Sequence, residues 1–154
     1  MAHPGIVTVA AAILDQELER AIRLSLPNCN SDMAKRLFGE FGPFGSFSAK
    51  IDVAHALGIT SDFIYQELQK VRKMRNMFSH SSQLLNLADE PMKSKFDALI
   101  RPPGATGNYS EVFMACVLVI DDYLEKYLYG MGDRGPHLSL RWITAEQKTE
   151  APAG

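Results

Sequence analysis

Cysteine is scarce in this chain of 154 residues. Cys29 and Cys116 are the only two, and they lie far apart. A disulfide scaffold is therefore excluded, and both read as free thiols of a reducing, cytoplasmic compartment. Cys116 belongs to the core by its neighbours Val112, Phe113 and Val117. With 11 glycines and 8 prolines, the chain is neither collagen-like nor of low complexity. No apolar run reaches the ~18 residues that a membrane helix needs. The stretch Ile6 to Leu14 resembles a signal-peptide core. However, no Lys or Arg precedes it, Asp15 closes it, and its amphipathic pattern continues to Leu26. It reads as half of a helix.

A basic excess is also missing. The net charge is −2, which argues against a stand-alone DNA-binding domain and predicts weak or no direct DNA binding. The charge is uneven. Residues 35–75 carry seven basic and four acidic groups between two acidic flanks, which reads most simply as a solvated helix face. The four histidines, His3, His55, His80 and His137, show no metal-binding spacing, so neither a metal nor a cofactor is expected. Gly39, Gly42 and Gly45 lack the spacing of a phosphate-binding loop, and there is no serine nucleophile motif. Asp121 and Asp122 point about 100° apart on a helix and cannot form a shared carboxylate site.

Helical periodicity is what the chain has in quantity. Apolar residues recur three or four apart from Val7 to Leu26, where Pro27 stops them. Ser31 or Asp32 can cap a second helix through Phe38, and Ser46 or Ser48 a third that ends at Leu57 before Gly58. Thr60 or Ser61 caps a fourth, reaching about His80 on a stripe of Ile64, Leu68, Val71, Met74 and Phe78. Asp89-Glu90-Pro91 opens a fifth, to about Ile100. The last runs from about Asn108 to Tyr129. Its segment Val112 to Ile120 is apolar all round, which predicts the central, most buried helix. No segment alternates with period two over a convincing length. The expectation is an all-α, single-domain bundle of five or six helices over residues 1–130. An extended, largely irregular tail follows over 131–154, in which the alternation of Leu138, Leu140 and Trp142 suits a short piece docked on the body.

Between the second and third helices, Gly39 to Ser46 holds three glycines, a proline and two aromatics. This reads as a structured loop, because aromatics need somewhere to bury. Phe44 and Phe47 are expected to pack it onto the helices, with Lys50 and Asp52 as a surface pair. Phe41, Phe44, Phe47 and Lys50 form the candidate surface for docking a protein partner, since clustered aromatics suit interfaces.

One constellation carries possible chemistry: Arg75, Asn76 and His80 near the end of the fourth helix. A His can move a proton and an Arg can stabilise a pentacovalent phosphate, with Asn orienting them. That set suits metal-independent phosphodiester cleavage but supplies one His where an acid and a base are required. A two-fold homodimer would complete it. The alternative is structural: the same side chains can satisfy the last carbonyls of the helix, where positive charge is favoured.

At this motif the sequence resembles the HEPN superfamily of α-helical domains, marked by Arg, a polar residue, three variable residues and His. Over a wider block, Phe41 to Gly58 followed by Val71 to His80, it resembles the mannitol operon repressor family, with looser similarity over about Leu14 to Tyr129. The second resemblance implies an all-α, non-enzymatic transcriptional regulator without its own helix-turn-helix. Such a protein works through contacts with proteins of the transcription or sugar-uptake machinery. The first implies a ribonuclease or toxin with Arg75, Asn76 and His80 as catalytic residues.

Overall fold

The computed structural model describes residues 4–82 and 84–128. The expected irregular tail over 131–154, with Leu138, Leu140 and Trp142, lies outside the described residues. Six helices follow one another: α1 Pro4–Ser25, α2 Ser31–Phe38, α3 Phe47–Ala56, α4 Asp62–His80, α5 Met92–Asp97 and α6 Tyr109–Leu128. No strand occurs among the described residues. The fold is an all-α bundle.

The helix starts follow from local chemistry. Ser46 Oγ accepts from Ala49 N, and Ser61 Oγ from Ile64 N, so each serine satisfies a free amide of the first turn. For α2 the cap is Asn30, whose Oδ1 accepts from Met33 N at 2.9 Å, rather than Ser31 or Asp32. Asn108 and Glu111 start α6 with reciprocal bonds of 3.0 Å between side chain and backbone. Gly58, with φ of 74°, closes α3 in a left-handed conformation that a Cβ would strain.

α1 packs against α3, α4 and α6. It, rather than α6, is the centre of the bundle. Its buried stripe is Val7, Ala10, Ala11, Leu14, Leu18, Ala21 and Ile22. Three alanines let neighbouring helices approach it closely. α6 buries Val112, Phe113, Cys116, Val117, Val119, Ile120 and Leu124 but leaves Leu118 55% exposed. The all-round apolar run is deeply buried as its sequence predicts, with one uncovered apolar edge at Leu118, but it does not make α6 the helix around which the others pack. The Cys116 thiol lies in the core as expected, and burial pushes its pKa up to about 11.

α1 and α6 run side by side in the same direction. Ser25 Oγ and Tyr127 Oη sit 2.7 Å apart at their C-terminal ends, and Glu17 faces Asp121 about two turns earlier. α3 and α4 form an antiparallel pair. His55 stacks on Tyr65 at 4.4 Å, Tyr65 Oη donates to Asp52 at 3.0 Å, and Arg75 lies over the Phe47 ring. α5 is shorter than its sequence suggests, because polar groups of α4 take over its end. Glu67 Oε2 accepts from Ile100 N at 2.9 Å, and Lys70 Nζ donates to the Ala98 carbonyl at 2.8 Å.

Candidate functional site

The three residues of the Arg-Asn-His motif all lie on the last turns of α4, but they do not converge. Arg75 is half-buried, with its guanidinium carbon 5.7 Å from the centre of the Phe47 ring. Its Nε is buried without a hydrogen-bond partner among the described residues. The guanidinium packs on the face of Phe47, a contact that a half-buried Arg makes through its charge and the ring's negative face. His80 is exposed. It stands five residues from Arg75, about 140° around the helix. Asn76 is one turn before His80 and partly buried. Within one chain, an Arg that stabilises charge and a His that moves a proton point away from each other.

The four candidate docking residues divide in the same way. Phe47 is buried beneath Arg75, and Phe44 is half-buried with its ring 5.8 Å from that of Phe38. Both pack the loop onto the helices, as their sequence context predicts. Lys50 is not a surface residue at all. Its ammonium lies 3.1 Å from Asp15 Oδ2 and 3.3 Å from Glu19 Oε2 of α1, with 4% of its side chain exposed. A charge that deep is kept by its two carboxylates, and burial closes it to a partner. Asp52 does remain exposed, bonded to Tyr65 and Gln69.

Phe41 alone projects, 97% exposed. The loop that carries it is rigidly built. Gly42 N donates to Gly39 O at 2.8 Å, Phe44 N to Leu37 O at 2.8 Å, and Gly45 N to Gly42 O at 3.1 Å. A Cβ on Gly42 would stand 2.4 Å from the Arg36 and Leu37 carbonyl oxygens, and one on Gly45 2.3 Å from Gly39 O. The glycines are there because the backbone folds against itself, not to give slack.

Comparison with family models, with curated proteins and with solved structures yields no match.

Two further polar features were not foreseen. Glu67 is a buried carboxylate of α4, held by Lys70 Nζ and Ile100 N. It lies within the apolar stripe of Ile64, Leu68 and Val71, and a charged residue inside such a stripe is the signal that could have found it. Asp121, on α6, is the second. Its Oδ1 is buried without a partner among the described residues, as is Glu17 Oε2 opposite. Burial first, then the charges of Glu17, Glu125 and Asp122, push the Asp121 carboxyl up to about 6 against the opposing effect of Arg20. Among the described residues, no group of three or more His, Cys, Asp or Glu side chains could hold a metal, and no helix is long and apolar enough to cross a membrane.

Proposed function

We propose that this protein is a non-enzymatic transcriptional regulator of the mannitol operon repressor kind, which acts in the cytoplasm through protein contacts rather than by reading DNA itself. The observation that carries the reading is Phe41. A fully exposed aromatic on a loop whose shape is fixed by backbone bonds and packed glycines loses little conformational freedom on binding. Such aromatics are the anchors on which protein interfaces concentrate their affinity. The net charge of −2 agrees with contact through proteins rather than phosphates.

The experiment compares wild type with Phe41→Ser in the native cell. Transcripts of the sugar-uptake operons and the proteins retained by each variant are measured together. Phe41→Ser should leave the thermal melt unchanged while both the retained partner and the transcript response are lost. Unchanged regulation would refute the reading.

The second reading, a metal-independent ribonuclease, draws on Arg75, Asn76 and His80 and requires a homodimer that brings Arg75 of one chain to His80 of the other. RNA cleavage in EDTA, lost in a stably folded His80→Ala, would establish it in place of the first. On the regulatory reading, wild type and variant are equally inert.

A further inference from the structure

Two parallel helices leave one outward face uncovered. On α1, Val9 is 54% exposed and Ile13 follows one turn later; on α6, Leu118 is 55% exposed, one turn after the partly buried Met114. The pairings of Ser25 with Tyr127 and Glu17 with Asp121 set the register of the two helices. Ile13 therefore stands about level with Leu118, and Val9 with Met114. The next turn toward the C-terminal ends changes character. Glu17, Asp121 and Glu125 gather there against one base, Arg20, which is paired with Glu17 at 2.9 Å. The buried oxygens of Glu17 and Asp121 lack a donor among the described residues. From the C-terminal end of α6 upward, the face is acidic first and apolar after.

The chain that continues from Leu128 has the matching order. Its first charges are Asp133 and Arg134; Leu138, Leu140 and Trp142 follow at a period of two, which an extended conformation would bring to one side. We propose that residues 129–143 turn back along the α1/α6 face, with Arg134 at Glu17 and Asp121 and with Leu138, Leu140 and Trp142 on Val9, Ile13, Met114 and Leu118. The reach suffices. Asp121 lies ~10 Å and Met114 ~21 Å back along α6 from Leu128, at 1.5 Å per helical residue. Extended chain covers up to ~3.3 Å per residue, so Arg134 reaches ~20 Å and Leu138 ~33 Å. This path needs a reversal soon after Leu128, and the sequence offers Gly130 and Gly132 for it. Docked in this way, the segment covers the uncovered apolar edge of α6 and brings a second cation to an acidic cluster that Arg20 serves alone, beside the two carboxylate oxygens that lack a donor among the described residues.

Trp142 is the only tryptophan of the chain and reports the contact directly. The experiment uses the full chain and measures tryptophan emission and acrylamide quenching over a range of protein concentrations. Molecular mass by light scattering and helix content by circular dichroism are followed in parallel. Docking predicts blue-shifted, shielded emission in the monomer. In Leu118→Glu the emission should shift to the red and the shielding be lost at unchanged helix content. Val9→Lys, on the other helix, should do the same and repeats the test if Leu118→Glu fails to fold. Solvent-exposed emission in the wild type, or shielding that survives both substitutions, overturns the proposal. Shielding that arises only as the chain dimerises also overturns it, and assigns the face to a second copy.

Discussion

Neutralising both carboxylates that face Lys50 should destabilise the domain by more than the two single changes together. The Lys50 side chain is 4% exposed, whereas Asp15 and Glu19 are 31% and 30% exposed. The ammonium thus depends on its partners for the solvation that water supplies to them. Removing the partner of a buried charge costs about 3–5 kcal/mol. In Asp15→Asn/Glu19→Gln the amide oxygens still accept a hydrogen bond, which returns about 1 kcal/mol. The double variant should therefore lose about 2–4 kcal/mol. Each single variant keeps one carboxylate within reach and should lose about 1 kcal/mol or less. The excess in the double variant is the coupling, about 0.5–3 kcal/mol for groups in one network. Lys50→Met serves as the control. It keeps the buried stem and leaves two part-solvated like charges four apart on α1, worth about 0.2–0.5 kcal/mol of repulsion. Urea unfolding followed by circular dichroism measures each loss against a total of about 5–15 kcal/mol. A double variant that loses less than about 1 kcal/mol, or only the sum of the singles, would show that Lys50 is hydrated in solution and refute the reasoning.

Val117→Asp should unfold the domain, because an unpaired charge in the core costs several kcal/mol, about the total stability; a native-like circular dichroism spectrum would contradict this. Glu67→Ala should lower stability by about 1–3 kcal/mol by leaving the part-buried Ile100 amide without its acceptor and Lys70 with the Ala98 carbonyl but no carboxylate. Faster hydrogen exchange at Ile100 N, confined to the chain around α5, is the signature that separates this from general loosening. Docking of Arg134 makes a pH prediction. Burial and acidic neighbours raise the Asp121 carboxyl above its ordinary 3.8, to about 6, and a docked Arg134 opposes them, so in Arg134→Gln it should titrate higher than in the wild type. Because the folded value is then the higher one, Asp121 favours folding of that variant most below about pH 4, and the benefit is lost as pH rises through 6. Carboxyl titration by NMR reads both proteins, and equal values would count against the contact.

The six helices were legible in the sequence because their causes are local. A 3.6-residue period, a Ser at position 46 or 61 ahead of it and a Gly at 58 behind it act within one or two turns of the chain. The boundary of α5 was not legible, since Glu67 and Lys70, some thirty residues earlier, hold the chain at Ala98 and Ile100. The candidate site divided along the same line. That Phe44 and Phe47 would pack the loop followed from their apolar bulk, and that Arg75 and His80 diverge follows from five residues of helix. Composition and period could not say that Phe41 would project, that Arg75 would rest on an aromatic ring, or that Lys50 would be buried. Those outcomes depend on which helix lies against which. Asp15 and Lys50 are 35 positions apart, and only the packing of α1 on α3 makes a surface-type residue into a buried ion. Likewise α6, the most apolar helix, was displaced from the centre by α1, whose alanines admit three neighbours where the larger side chains of α6 do not.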